Sequence, residues 1–194
     1  MMDVIEKIFI WGIPLLVIFV ALRARGAHRD LNSVFKRLAQ ETGGKLSRSD
    51  EIRYPILTVN HQGREFVITN GLATGGEVWV TKLSLDNHLD QPFQLRIQPT
   101  DPIEEFSKKL GFQDVELGNA DFDKQYLVKT QDASRAKTLV DRELQQLLVD
   151  IRPLQPELWI TEKYIALSTQ MQHDLDGYRK LVKLGRKLCE LRNK

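Results

Sequence analysis

An uncharged apolar run near the N-terminus is the feature that most constrains this chain. Residues 8–22 read IFIWGIPLLVIFVAL, and three arginines follow by residue 29. The run is shorter than the roughly 20 residues that a spanning helix usually needs. Extending it back to residue 4 crosses only Glu6 and Lys7, whose long side chains reach the headgroups. We therefore predict a single N-terminal transmembrane helix.

Two alternatives to an anchor are a cleaved signal peptide and a buried core helix. A signal peptide carries positive charge before the apolar run and a small-residue cleavage site after it. Here two acids and one lysine precede the run, and Ala24-Arg25-Gly26 is a poor cleavage site. The flanks therefore favour an uncleaved anchor. The residues expected to contact the bilayer are Ile8, Phe9, Trp11, Leu15, Leu16 and Phe19.

The distribution of basic residues around the run predicts its orientation. One lysine precedes the apolar segment and three arginines follow it. Because positively charged flanks stay on the cytoplasmic side of a membrane, we expect the C-terminal part to be cytoplasmic. Residues 1–29 would form the anchor with a basic juxtamembrane segment, and residues 30–194 a single soluble domain of ordinary size.

The net charge of +2 conceals an uneven distribution. Residues 177–194 hold seven Lys or Arg and one Glu, which gives +6, and residues 1–30 hold four against three, which gives +1. Residues 31–176 therefore carry −5. Cys189 is the single cysteine, so it has no partner within the chain for a disulfide or a paired-cysteine zinc motif.

Periodicity in residues 30–194 predicts an α+β fold with a mainly antiparallel sheet and helices on one side. The first four predicted strands read as a meander with one face exposed to water. Predicted helices cover 31–42, 102–110, 133–139, 141–151 and 178–194, and predicted strands cover 56–59, 65–69, 78–85, 93–97, 124–130, 158–161 and 164–168.

The segment Asp121-Phe122-Asp123-Lys124-Gln125-Tyr126-Leu127-Val128, followed by a helix that begins at Asp132, resembles a module of bacterial membrane-anchored proteins of unknown function. The resemblance extends over about residues 112–168, and Tyr126 stands where that family usually has Phe. It implies a location in the bacterial plasma (inner) membrane. It implies no activity, cofactor or catalytic residue.

Asp121 and Asp123 are the strongest candidates for chemistry. The two residues are two positions apart at the start of a predicted strand, so their carboxylates would lie on the same face of that strand. Such a pair could bind a hard cation or transfer protons. The alternative is that both accept hydrogen bonds from backbone amides in the preceding turn, as aspartates often do. Because no third ligand lies nearby in the sequence, we favour the turn and expect neither a metal nor another cofactor.

The last helix is the surface most suited to a partner. Its apolar residues recur at helical spacing, which predicts an amphipathic helix docked on the sheet. The opposite side would lie on anionic lipid headgroups. Nucleic acid is a weaker alternative, because the body is acidic and few aromatic residues interrupt the basic ones. The basic residues assigned to this contact are Arg179, Lys180, Lys183, Arg186 and Lys187.

These observations predict a single-pass membrane protein whose domain acts as a non-catalytic interaction or scaffolding module with a protein partner that the sequence does not identify. The alternative is a membrane-tethered enzyme or metal-binding domain, in which Asp121, Asp123 and a histidine meet in a pocket. No convergent catalytic set occurs in the sequence, so the first interpretation is favoured.

Overall fold

The fold was taken from a computed structural model, which describes residues 31–48, 54–72, 79–87, 92–100, 113–170 and 174–191. The predicted anchor and the predicted helix over 102–110 lie outside these residues. Among the helices that the structure describes, none is long and apolar enough to cross a membrane.

The centre of the domain is one antiparallel sheet. Its described strands are β1 (Lys45–Ser47), β2 (Ile56–His61), β3 (Arg64–Leu72), β4 (Trp79–Asp86), β5 (Gln94–Pro99), β6 (Gln113–Asp114), β7 (Tyr126–Thr130), β8 (Glu157–Thr161) and β9 (Tyr164–Gln170). These nine strands follow the order β1-β2-β3-β4-β9-β8-β5-β7-β6. All eight neighbouring pairs are antiparallel.

Local sequence explains the hairpins at either side of the sheet's centre. Gln62 and Gly63 both have positive φ, at 53° and 80°, which suits the two-residue turn that joins β2 to β3. Two residues, Glu162 and Lys163, also separate β8 from β9, although neither has a positive φ. Both hairpins confirm the sequence-based predictions, because turn residues and alternation act over short distances.

The helices are α1 (31–42), α2 (Ala120–Gln125), α3 (Ala133–Leu139), α4 (Arg142–Asp150) and α5 (Leu175–Glu190). Aspartates cap three of them as N-cap residues, and a 3₁₀ turn over Arg152–Leu154 follows α4. Helices α1, α4 and α5 place their apolar residues in the same core as one set of alternating strand residues. The α+β class with an antiparallel sheet is thus confirmed.

A buried polar cluster joins α5 to the sheet. Asn70 Nδ2 donates to the Tyr178 hydroxyl oxygen at 2.7 Å, and Thr81 Oγ1 donates to Asn70 Oδ1 at 2.6 Å. All three side chains are buried. The Phe35 ring of α1 packs edge-on against Tyr178, with the centroids 4.8 Å apart. Burial raises the pKa of Tyr178 to about 12, although hydrogen bonding from Asn70 and Thr81 opposes the rise.

Two sequence-based predictions about the sheet were wrong in detail. Strands β2, β3 and β4 are sequential neighbours, but β9 and β8 lie between β4 and β5, so the four-strand meander is interrupted. The strand predicted from residue 124 begins at Tyr126, because residues 120–125 form α2.

Candidate functional site

The basic helix α5 is fixed on the sheet by its apolar side. Leu181 and Leu188 are buried, as predicted from their spacing. Gly185 allows the helix to approach β3 closely, since a Cβ there would lie 2.7 Å from Phe66 Cε2. The opposite side of α5 therefore has a defined direction, away from the sheet.

Lys187 does not belong to the exposed basic side of α5. Its side chain is only 8% exposed, and its Nζ lies 3.0 Å from Asp141 Oδ2 and within hydrogen-bond distance of Glu143. Burial alone would lower the pKa of Lys187, but hydrogen bonds to Glu143 and Asp141 outweigh it and raise that pKa. The sequence-based assignment of Lys187 to a lipid contact is corrected: it joins α5 to α4.

Arg179 is exposed but already paired. Its guanidinium donates to Glu41 of α1 through Nε at 2.9 Å and Nη2 at 2.6 Å, and to Asp176 through Nη1 at 2.9 Å. The hydrogen bond from Arg179 is the main cause of a lowered pKa at Glu41. This contact joins α1 to α5 and neutralises one charge of the basic side.

Three exposed cations remain on α5. Among the described residues, the one contact of Lys180 Nζ is with the Asp150 carbonyl oxygen, at 3.5 Å. Lys183 and Arg186 form no ion pair with any of the described residues. Lys183, Arg186 and Arg179 border a shallow depression of about 240 Å³ between α1 and α5. We call Lys180, Lys183 and Arg186 the basic face.

The aspartates proposed for chemistry lie on a helix rather than at a strand entrance. The Asp123 carboxylate accepts backbone N–H bonds from residues 117, 118 and 119, at 3.0, 3.1 and 3.0 Å. Asp121 lies in the same helix with an exposed side chain. The favoured interpretation, that both aspartates bind backbone amides of the turn before α2, is therefore confirmed for Asp123 alone.

Of the four histidines, His61 is the one that the structure describes, and it has no catalytic arrangement with these acids among the described residues. His61 Nε2 lies 3.4 Å from Glu190 Oε1 of α5, whereas Asp123 contacts the turn before α2. His88 and His173 lie outside the described residues. Within the described ranges, no three His, Cys, Asp or Glu side chains are grouped closely enough to hold a metal ion.

A pocket of about 180 Å³ opens on the side of the sheet that points away from the core. We call it the outer-face pocket. Trp159 and Tyr164 contribute aromatic surface, with 39% and 48% of each residue exposed. Its polar and aromatic lining comprises Gln94, Arg96, Lys129, Trp159, Thr161 and Tyr164.

The Trp159 ring is held in place from two directions. The Arg96 guanidinium carbon lies 4.5 Å from the ring centroid, a cation–π contact. Glu157 Oε1 accepts from Trp159 Nε1 at 3.0 Å and from Arg96 Nε at 2.7 Å. Because each contact fixes the others, the indole is a preorganised wall of the pocket.

The sequence contained a signal for this pocket. In β8, Leu158 and Ile160 are buried, so Trp159 between them must point to the wet face with Glu157 and Thr161. A tryptophan among the residues of a strand that face water indicates a surface that contacts a partner or ligand. The other lining residues come from β5, β7 and β9, so sequence spacing could not group them.

The fold and these surfaces define an α+β domain with two candidate contact regions, the basic face and the outer-face pocket. No family model matches the chain, and no curated protein matches it. Among solved structures, it is similar to the crystal structure of the mycobacterial trehalose monomycolate transport factor A, TtfA, with a TM-score of 0.57 and 11% sequence identity. The similarity covers 86% of this chain and 94% of that chain. At this identity the likeness shows the fold alone.

Proposed function

We propose that this protein is a single-pass membrane-anchored protein whose domain, residues 30–194, is a non-catalytic interaction or scaffolding module at the membrane surface. The observation that carries the proposal is the basic face of α5, whose Lys180, Lys183 and Arg186 point away from the sheet. Lys183 and Arg186 have no ion-pair partner among the described residues. Anionic lipid headgroups are their proposed partners.

The position of α1 supports this orientation. Its first described residue, Leu31, follows the predicted juxtamembrane segment directly in the sequence. The Arg179–Glu41 pair and the Phe35–Tyr178 contact bind α1 to α5. A chain that leaves the bilayer through residues 23–29 would therefore deliver α5 close to the membrane surface.

The expected free energy of the lipid contact is enough to orient the domain at the membrane but not to recruit it there. Each Lys or Arg close to an anionic bilayer contributes about 1 kcal/mol. The three cations of the basic face would thus contribute about 3 kcal/mol, enough to favour one orientation of an already tethered domain. The anchor supplies the attachment, and the domain remains accessible to a protein partner.

Two comparisons support the proposal. The structural neighbour is named as a transport factor, and a role in transport is compatible with a domain that binds partners. The resemblance of residues 121–128 to bacterial membrane-anchored proteins supports a bacterial inner-membrane location. On the positive-inside distribution, the domain would be cytoplasmic.

Lysine acetylation of the intact protein in proteoliposomes tests the lipid contact. With bilayers that contain phosphatidylglycerol, Lys180 and Lys183 should react several-fold more slowly than in phosphatidylcholine alone, and high salt should abolish the difference. Lys137 of α3 and Lys163 of the β8–β9 turn are exposed controls that should react equally in both bilayers. Equal reactivity of Lys180 and Lys183 in both bilayers would refute the contact.

A compartment-sensitive reporter placed after Lys194 in the intact protein tests the orientation. A cytoplasmic signal is expected from the three arginines that follow the apolar run. A signal from the opposite side of the membrane would contradict both the orientation and the proposed contact with the cytoplasmic leaflet.

A further inference from the structure

We propose that the depression between α1 and α5 binds the phosphate group of one anionic phospholipid. This site rests on the function proposed above and deepens it, because a single headgroup then occupies a defined place on the basic face. The polar and charged border of the depression comprises Glu41, Thr42, Arg179, Lys183 and Arg186.

The exposed cations of α5 lie on two sides of the helix. Arg179, Lys183 and Arg186 recur at intervals of four and three residues, so they share one side, and that side borders the depression towards α1. Lys180 Nζ instead lies near the Asp150 carbonyl oxygen of α4. Of the three residues of the basic face, Lys183 and Arg186 are therefore the two that could contact a headgroup in the depression.

The depression and its ion pairs carry a net formal charge of +2, from four cations and two acids. Both acids are engaged by Arg179. The side chains of Lys183 and Arg186 form no ion pair or hydrogen bond with any of the described residues. An anion beside them would offset the repulsion between like charges one turn apart on a helix. The six charged groups are Arg37, Glu41, Asp176, Arg179, Lys183 and Arg186.

Arg179 is oriented before any ligand binds. A guanidinium has five N–H donors. Glu41 accepts one from Nε and one from Nη2, and Asp176 accepts one from Nη1. One N–H on each Nη therefore remains, and guanidinium N–H groups bind phosphate oxygens strongly. Because its two acids already hold the side chain, a ligand would pay little further entropy to order it.

The floor of the depression is apolar, which favours a phospholipid over free phosphate. Leu38 of α1 and Val182 of α5 line the depression and are buried. An isolated phosphate would lose water against this floor without a compensating contact, whereas the glycerol carbons beside a lipid phosphate would pack on it. The volume of about 240 Å³ is below the roughly 300–1,000 Å³ of pockets for drug-sized ligands. It therefore suits a headgroup whose acyl chains remain in the bilayer.

Two contacts fix the walls of the depression to each other. The Phe35 ring packs against Tyr178 with the centroids 4.8 Å apart, and Glu41 pairs with Arg179. Helices α1 and α5 are thus held together without a ligand, as is usual at preformed binding sites. The depression is present before a lipid binds.

Acetylation of individual lysines in the intact protein, held in neutral detergent without a bilayer, provides the test. The probes are dihexanoyl phosphatidylglycerol and dihexanoyl phosphatidylcholine, which share the phosphate and the acyl chains but differ in net charge. Phosphatidylglycerol should slow the acetylation of Lys183 saturably, with a half-maximal effect at or below about 1 mM. At about ten times that concentration the rate should be lower by about tenfold. Lys180 should change less than about twofold, and phosphatidylcholine should protect neither lysine.

Arg186→Gln and Lys180→Gln are a matched pair of variants, since each removes one exposed cation of α5. Arg186→Gln should weaken the protection of Lys183 at least about tenfold, because it removes a hydrogen bond between two charged groups. Lys180→Gln should change it less than about twofold, because Lys180 lies towards α4. Glycerol 3-phosphate, which lacks the acyl chains, should bind at least about tenfold more weakly than phosphatidylglycerol.

The site is overturned if phosphatidylglycerol protects Lys180 and Lys183 equally in detergent, or protects neither by about 10 mM. Equal effects of Arg186→Gln and Lys180→Gln would also overturn it, and equally tight binding of glycerol 3-phosphate would contradict the choice of a lipid. Slower acetylation in bilayers that contain phosphatidylglycerol, without saturable protection in detergent, would support the membrane contact and refute the site. Saturable protection of Lys183 in detergent, without an effect of the bilayer, would support the site and refute the proposed orientation at the membrane.

Discussion

Lys183 and Lys187 are the same residue type one turn apart on α5, yet the structure gives them opposite roles. Lys183 is exposed, whereas Lys187 is 8% exposed and bound to Asp141 and Glu143 of the neighbouring helix region. Replacing each lysine by methionine keeps the length of the side chain and removes the charge. We predict that Lys187→Met destabilises the docking of α5 and that Lys183→Met does not.

The burial of the partners sets the size of the effect. Removing one partner of a fully buried ion pair costs about 3–5 kcal/mol. Here the Asp141 side chain is 27% exposed and that of Glu143 is 64% exposed, so water replaces much of the lost contact. We therefore expect a loss of about 1–2 kcal/mol for Lys187→Met. Lys183→Met should stay within about 0.5 kcal/mol of the parent protein.

Alkylation of Cys189 measures this loss in the intact protein. The thiol is the single cysteine of the chain and is only 2% exposed, so it reacts when α5 opens. Burial also raises the pKa of Cys189, which slows reaction in the closed state. A loss of 1–2 kcal/mol should accelerate alkylation about 5–30-fold in Lys187→Met. Rates in denaturant correct for any change in the intrinsic reactivity of the thiol.

Two results would refute this reasoning. Equal alkylation rates in Lys187→Met and Lys183→Met would show that the Asp141 and Glu143 contacts do not hold α5. If Lys187→Met instead abolished the difference in acetylation of Lys180 between the two bilayers, Lys187 would belong to the lipid contact after all.

Three further predictions concern the interior and the turn before α2. Tyr178→Phe should cost about 1–2 kcal/mol at neutral pH. The raised pKa of Tyr178, about 12 against an ordinary value of 10.0, means that its contribution is complete below pH 10 and is lost as the pH rises towards 12. The parent protein should therefore lose up to about 1.4 kcal/mol per pH unit more than Tyr178→Phe in that interval, as measured by urea unfolding. Gly185→Ala should destabilise the protein by about 1–2 kcal/mol, because the clash with Phe66 exceeds the gain of about 1 kcal/mol in helix propensity. An unchanged or higher melting temperature would contradict the close approach of α5 to β3. In a thermal melt, Asp123→Ala should lower the free energy of unfolding by about 1–3 kcal/mol and Asp121→Ala by less than about 0.5 kcal/mol, because Asp123 alone accepts from the turn. Equal effects would refute the role of Asp123 in the turn before α2.

Short-range features of the sequence predicted the secondary structure well. Asp132 caps the helix that was expected to begin after it, and the helix predicted from residue 141 begins at Arg142 with Asp141 as its cap. The β8–β9 hairpin turns at the polar pair where the sequence predicted it. These features depend on residues within one turn or one hairpin of each other. The error at α2 arose because residues 120–125 are too few for helical periodicity to stand out.

The candidate contact regions were predicted unequally. The amphipathic pattern of α5 predicted its buried side, and four of the five cations that it assigned to the opposite side are exposed, because periodicity along one helix determines which residues share a side. It could not predict the pairing of Lys187, since Asp141 and Glu143 lie more than forty positions away in the chain. The pattern of β8 placed Trp159 outside the core, but not beside Arg96.

The sequence by itself determined most of the helices and strands, with β1, β6 and α2 as exceptions, and which of their sides face the core, since hydrophobic spacing acts locally and folding buries apolar surface. Only the tertiary structure decided that β9 and β8 enter between β4 and β5. That insertion places Trp159 beside Arg96 and Lys129 and creates the outer-face pocket. Strand order depends on the packing of the whole core, where many distant residues contribute small energies together, so no local pattern records it.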